Sequence, residues 1–539
     1  MNGRDDGGHG PSQDFPDSPT ADEYSNRDHH HDPEELLISD EEYEEQLGSS
    51  GISDRVPRSL TFFHGLALVI GLQIGSGIFS APAAVRTHVP STGVAMLAWV
   101  VGGIMASTGA ASFATLGKLV PLNGGMQEYL RFVYFDLFGF LFAWTWIFVS
   151  RPLALAMISL VFSGYLSRAI YPEEAGPDWL LKTFAIFAVA VITLLNCIGT
   201  RIGTGVGNVF LFLKLLGLGS VPLLGIIAIA FLKEKPAEIS QVQLLADLRV
   251  LSRDTPGPQN GVLDIWAAFG GFVDAVLAAA FAYNGWESLS FVGGEIKNPE
   301  VTLPKILKIS MAIVITMFLA SNLAIYLTVS AETLRDSDAP ALEFGKKILG
   351  RAGVLFYTWV VCICALGSLN SIVFSTSRLT QAAGERNYLP RFLKANAGTF
   401  GGTNRWLSWS YLTYAPIRSE GQNLETDNVP RNAMIFNFLL AAVYIMTASF
   451  RSLLTFKGLI ELTMFFLTVF GLVIFQFLHR QSEHGARFGI ETISPIIFSV
   501  LASFILMRSA AAHSLEFSLI LFGLWFSSII YYKEYENAA

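Results

Sequence analysis

The sequence predicts an all-α polytopic membrane protein with twelve transmembrane helices. Only 15% of its 539 residues are charged, against 52% hydrophobic, and the mean hydropathy is +0.47. Soluble domains carry about a quarter charged residues. The apolar residues are also gathered into long stretches almost free of charge, such as 137–148 and 215–232. A helix crossing a bilayer needs about 20 apolar residues, because lipid offers no water to backbone polar groups.

Along the chain, residues 1–56 read as a disordered acidic cytosolic tail. Residues 1–50 hold 15 of the 44 acidic residues and 2 of the 36 basic ones, with few apolar side chains to bury. The tail contains the run His29-His30-His31, read as solvated. It also contains Glu34-Glu35-Leu36-Leu37, which looks like an acidic dileucine sorting signal. No basic stretch leads into an apolar core at the N-terminus, so no cleaved signal peptide is expected. Hydropathy then predicts spans at about 60–84, 93–117, 137–169, 180–199, 206–232, 264–293, 304–329, 353–382, 432–449, 453–478, 490–508 and 514–532. An even number of crossings puts both termini on one side, expected to be the cytosol. The division that follows is the tail, a core at 57–478 (helices 1–10), and 479–539, with helices 11 and 12 and a short C-terminal tail. A short outer helix is expected over 341–349, and a long polar connection over 390–430. Cys197, Cys362 and Cys364 all lie in or beside apolar spans and read as packing thiols. No metal site, cofactor, nucleotide-binding loop, catalytic constellation or basic nucleic-acid surface is expected.

Two spans carry interruptions. The first contains Ile74-Gly75-Ser76-Gly77-Ile78-Phe79, and each glycine costs about 1 kcal/mol of helix relative to alanine. The sixth contains Phe281-Ala282-Tyr283-Asn284-Gly285-Trp286. These positions correspond if spans 1–5 and 6–10 are two repeats, and such paired breaks point to a transporter's substrate site. An unwound segment leaves N–H and C=O groups without partners at bilayer depth. The N–H groups of Ser76, Gly77 and Ile78 then suit a carboxylate. The carbonyls of Gln73, Phe281 and Ala282 suit an α-ammonium. Glycine at 75 and 77 lets the backbone come close to the ligand. Such a site selects an α-amino acid headgroup without a charged side chain.

With these motifs the chain resembles the L-type amino acid transporters of the amino acid–polyamine–organocation superfamily, including fungal methionine permeases. Further residues carrying the resemblance are Arg151-Pro152, Asn196-Cys197, Gly293-Gly294-Glu295-Ile296-Lys297-Asn298-Pro299, Gly367-Ser368 and Ser377-Arg378-Leu379. The resemblance implies a LeuT-type fold, two inverted five-helix repeats plus two terminal helices with helices 1 and 6 broken. It also implies sodium-independent transport of neutral L-amino acids, such as methionine or leucine, by alternating access. Carried over, Ser76 and Gly77 match carboxylate contacts, and the Gln73 and Phe281 carbonyls match amine contacts. Phe281 matches an aromatic gate, and Ser368 a polar lining residue. Lys214 matches a lysine standing in for sodium between the first and eighth helices, near Ser375 and Thr376. Asn284 departs from the glycine of animal relatives and favours slimmer substrates. Glu287 departs from their asparagine. Residues 171–179 lack the cysteine that joins animal relatives to a glycoprotein heavy chain, so that partner is not expected.

Charge at membrane depth is costly unless paired. Lys214 reads as a coupling residue or a static strut, Glu287 as a proton carrier or a hydrogen-bonded carboxyl, and Arg151 as structural. The expected partners are therefore a neutral L-amino acid, membrane lipid and protons, with exchange or proton symport both open. The alternatives are a cationic amino acid or polyamine carrier, for which Glu287 would be the acidic group, and a non-transporting amino acid sensor.

Overall fold

A computed structural model describes residues 58–75, 77–171, 176–231, 261–337, 339–389, 393, 430–447, 450–482, 490–512 and part of 523–533. Among these residues the chain is helical, apart from connections and two isolated bridges, Leu60 with Ile296 and Asn123 with Val292. Ten helices among the described residues are long and apolar enough to cross a membrane, and Arg431–Thr447 is a shorter apolar helix at the ninth predicted span. The twelfth span is described only in pieces. The acidic tail with its histidine and dileucine motifs lies outside the described residues, as does nearly all of 390–430.

The first span is two helices, α1 (Phe62–Gln73) and α2 (Gly77–His88). After α3 (Thr92–Leu119), Gly124 and Gly125 turn the chain at positive φ into a short amphipathic helix, α4 (Met126–Val133), which hydropathy does not signal. The third span is α5 (Asp136–Thr145), a wide π turn (Trp146–Ser150) and α6 (Arg151–Ile170). Then come α7 (Asp178–Ile198), α8 (Thr200–Phe231) and α9 (Gly261–Tyr283). The sixth span does not resume as an α-helix beyond its break. Two 3-10 turns, Trp286–Leu289 and Gly293–Glu295, lead instead to α10 (Pro299–Thr328). After α11 (Ala331–Asp336), α12 (Pro340–Glu385) is kinked at Gly350 (φ 60°, ψ −137°). The residues before that kink form a short helix where one is expected over 341–349. The chain continues through α13 (Arg431–Thr447), α14 (Phe450–Ser482) and α15 (Ile490–Ala512).

The broken helices sit at the centre. α1 packs against α8, α10 and α12, while α9 packs against α2 and α3. Their rim is lipid-facing: Phe187 and Leu194 on α7 and Phe212, Leu216 and Ile226 on α8 are exposed.

Pro152 explains the π turn. Proline has no N–H to give and clashes with the carbonyl four residues earlier, here Phe148. The widened turn relieves the clash, and the Tyr444 hydroxyl of α13 donates to the Phe148 carbonyl at 3.1 Å. Tyr444→Phe removes that hydrogen bond and is expected to lower stability by about 1 kcal/mol, read as a lower Tm of the detergent-purified protein.

On the side of the N-terminus a seam joins both halves of the chain. The Leu60 N–H donates to the Glu295 carbonyl (2.9 Å) and the Lys297 N–H to the Leu60 carbonyl (3.1 Å). Arg378 of α12 pairs with the Glu295 carboxylate at 3.1 Å. Arg386 grips Glu128 of α4 through two nitrogens, at 3.2 and 2.8 Å. Tyr388 donates to Asp136 at 2.7 Å; burial, with that carboxylate, raises its phenol well above the ordinary value.

Candidate functional site

The first break spans Ile74 and Gly75. Ile74 leaves the helix at ψ 74°, and the Gly75 N–H turns back to the Gln73 carbonyl at 2.9 Å. That carbonyl, an expected ammonium acceptor, thus keeps one lone pair. Ser76 lies outside the described residues. At Gly77 a new helix begins, and the N–H groups of its first turn point out of its start without helical partners. Ile78 is buried, its side chain in the core.

The second break is the turn at Asn284 and Gly285. Gly285 sits at φ +125°, a conformation L side chains rarely adopt, and an added methyl would approach Leu72 Cγ at 2.9 Å. The Asn284 N–H reaches back to the Phe281 carbonyl at 3.3 Å.

The two breaks are fastened to each other. Gln73 Nε2 donates to the Tyr283 carbonyl at the end of α9, at 2.8 Å. A methyl group at Gly77 would touch Ala282 Cα at 3.5 Å. Gln73 Oε1 and the Tyr283 hydroxyl are buried without a hydrogen-bond partner among the described residues. Buried polar atoms are rarely left unmatched, so Gln73 Oε1, beside the break, fits a place where a polar ligand binds, whereas the Tyr283 hydroxyl lies against α3 near Gly103.

Lys214 of α8 is fully buried. Its ammonium donates to the Gly71 carbonyl in the last turn of α1 and to Ser368 Oγ of α12 at 2.9 Å. Ser368 Oγ also donates to the Gly71 carbonyl at 2.9 Å and lies 3.4 Å from the Leu72 carbonyl. The cation therefore rests at the negative end of α1. Position 367 leaves room for it, since a Cβ on Gly367 would collide with the lysine chain. The expectation that Lys214 reaches Ser375 and Thr376 is corrected: it engages α12 two turns earlier, at Ser368.

Glu287 is held at both oxygens. Arg151 Nη2 donates to Oε1 at 2.8 Å and the Gly285 N–H to Oε2 at 2.9 Å. The guanidinium also lies against the rings of Trp146 and Phe291. The ion pair thus ties the third span to the break in the sixth.

Phe281 and Asn284 face a different neighbourhood. With Leu277, Ala280 and Trp286 they line an apolar cavity closed by Met105 and Ala106 of α3, Leu462 and Phe465 of α14, and Phe498 of α15. The sequence reading missed what borders it on α14. Lys457 and Glu461 are buried and paired at 2.6 Å. Ser150 donates to Glu461 Oε1 at 2.6 Å, and Asn284 Nδ2 to Oε2 at 3.3 Å. Lys457 Nζ lies 5.1 Å from the Phe281 ring centre. The available signal was two opposite charges four residues apart within an apolar span. Among the described residues no group of three or more His, Cys, Asp or Glu could hold a metal, and the three cysteines are unpaired.

A LeuT-type polytopic helical membrane protein, broken at matching helices whose breaks meet at the centre, is the architecture of a secondary transporter. The model of the amino acid permease family matches residues 60–531, and the chain belongs to that family. It is a membrane transporter of amino acids and not an enzyme. It is similar to the b(0,+)-type amino acid transporter 1 of Mus musculus, with 27% identity over 447 residues, 82% of this chain and 80% of the relative. It is also similar to the large neutral amino acids transporter small subunit 2 of Mus musculus, 26% identical over 479 residues, 87% of this chain and 80% of the relative. The Asc-type amino acid transporter 1 of Mus musculus is 29% identical over 332 residues, 60% of this chain and 58% of the relative.

Proposed function

We propose that this protein is a sodium-independent permease for neutral L-amino acids, with side chains such as those of methionine or leucine, working by alternating access in the manner of fungal methionine permeases. The observation that carries this reading is the pair of helix breaks fastened through Gln73 and Tyr283. A carboxylate accepts from the N–H groups of Gly77 and Ile78, joined by Ser76, at the positive start of α2. The α-ammonium is accepted by Gln73 and by the carbonyls of Phe281 and Ala282, with Gln73 Oε1 a further acceptor. Gly75 lets the backbone approach, Ser368 lines the floor and Phe281 gates the site. The side chain enters the apolar cavity, where Met105, Leu462 and Phe465 suit a thioether or branched alkyl chain, and Asn284 limits its bulk.

Lys214 supports sodium independence, because a tethered ammonium already occupies the negative end of α1. Its release from Gly71 and Ser368 would couple binding to movement of the first helix. Glu287, the other coupling candidate, is held by Arg151 and Gly285; it acts as the fastener of the break, and coupling rests on Lys214. Residues 57–478 form the transport core, 1–56 and the C-terminus face the cytosol, and no disulfide-linked heavy chain is needed. The test is uptake of labelled methionine and leucine by proteoliposomes of the purified protein, in sodium and in choline buffer. Equal uptake in both is expected; uptake no greater than in protein-free vesicles refutes the reading.

A further inference from the structure

Glycine inside an α-helix is destabilising relative to alanine, so its presence there asks for a reason. For several glycines of this chain the reason is a close neighbour. A Cβ at Gly471 of α14 would meet Val133 at 2.7 Å, and one at Gly109 of α3 would meet Trp286 at 2.8 Å. Gly458, also in α14, has neither such a neighbour nor a positive φ. No atom of the described residues lies within 4 Å of the place its Cβ would take. A side chain there would enter open space.

That space is the apolar cavity. Gly458 lines it, and Leu462 and Phe465, four and seven residues on, line it too. This is the spacing of one helix face, so the bare side of Gly458 is turned inward. Leu277, Ala280 and Phe281 present a face of the same kind from α9. Phe465 packs on Trp286, with ring centres 5.0 Å apart, and Gly458 lies two turns of α14 earlier. The glycine thus leaves room along the wall away from this aromatic end.

We propose that Gly458 sets the size of the substrate side chain, by keeping the α14 wall of the cavity bare. The inference rests on the reading of the chain as a permease for neutral L-amino acids and deepens it. It names a residue that admits leucine and methionine beside smaller substrates. Each methylene of a ligand that no longer fits an apolar site forfeits about fourfold in affinity. The leucine side chain has three carbons more than that of alanine, and a side chain at position 458 competes for the room those carbons need.

Alanine and leucine, each in competition with labelled methionine for uptake into proteoliposomes of the full chain, read this directly. In Gly458→Leu the inhibition constant of leucine is expected to rise about sixtyfold relative to that of alanine, three such increments. In Gly458→Ala, where a single carbon is added, the relative rise is about fourfold. The Tm of Gly458→Ala in detergent should be unchanged or higher, because alanine favours the helix and touches nothing. A leucine-to-alanine ratio within about twofold of the unaltered protein's overturns the proposal. So does a lowered Tm in Gly458→Ala, which would mean that the glycine serves packing. If Gly458→Leu does not reach the membrane, Gly458→Ala decides between the same results. Absence of leucine and methionine uptake by the unaltered protein would sink the proposed function instead, so the two failures are distinguishable.

Discussion

Lys214→Met is expected to cut methionine or leucine uptake by about a hundredfold or more while leaving the protein as stable as before, or more so. The two halves of this expectation come from different physics. Among the described residues no carboxylate pairs with Lys214; its charge is met by the Gly71 carbonyl and the Ser368 hydroxyl alone. Burying a cation this way costs several kcal/mol in desolvation. Methionine fills nearly the same volume without that cost, and the Gly71 carbonyl keeps its bond from Ser368. Function responds in the opposite sense. Each hydrogen bond from a charged donor contributes about 1.5–3 kcal/mol, and the two made by Lys214 tie α1 and α12 to α8 at the break. Losing them shifts the balance of conformations by about two orders of magnitude. Uptake normalised to protein in the vesicle, beside Tm in detergent, checks both halves. Uptake within threefold of the unaltered protein would mean that the lysine is a strut.

What could be read from sequence divides along a physical line. Membrane spans are local events, because twenty apolar residues must satisfy their own backbone wherever they lie, and eleven predicted spans have helical counterparts among the described residues. The two breaks were legible for the same reason: Gly75 and Gly77, and Asn284 with Gly285, are poor helix formers set in otherwise uniform apolar runs. The turn at Gly350 was foreshadowed by the amphipathic stretch before it. Cross-helix register was not legible. Lys214 pairs with Ser368 rather than with residues two turns further along α12, because rotation and offset of packed helices depend on every side chain between them. The Glu461 cluster joins residues 177 and 311 positions apart in sequence, and no local pattern encodes that meeting. Lys457, near the start of its span, resembles an ordinary flanking charge until the fold buries it. α4 escaped notice because its Gln127, Glu128 and Arg131 read as loop polarity, whereas Glu128 is buried against Arg386.

The second large effect concerns Arg151 and Glu287. Arg151→Met removes the cation but leaves the carboxylate buried on the Gly285 N–H alone, and an uncompensated buried charge costs about 3–5 kcal/mol. A drop in Tm of several degrees and loss of nearly all uptake are expected, since the carboxylate holds Gly285 in the positive-φ turn that makes the break. Glu287→Gln carries a cost of the same kind, because it too leaves one member of the buried pair uncompensated. An amide oxygen still accepts from one of the two donors, but the buried guanidinium then lacks its counter-charge and is left beside the rings of Trp146 and Phe291. Combining both substitutions separates charge from geometry. Arg151→Met with Glu287→Gln leaves no ion in the apolar interior, so Tm should recover most of the loss seen in Arg151→Met. Uptake should stay well below that of the unaltered protein, because the tie from the third span to the sixth is still missing. A double variant that recovers both stability and uptake would show that neutrality alone is required at this position. One that recovers neither would show that the substitutions are damaging through packing around Phe291 and not through the ion pair.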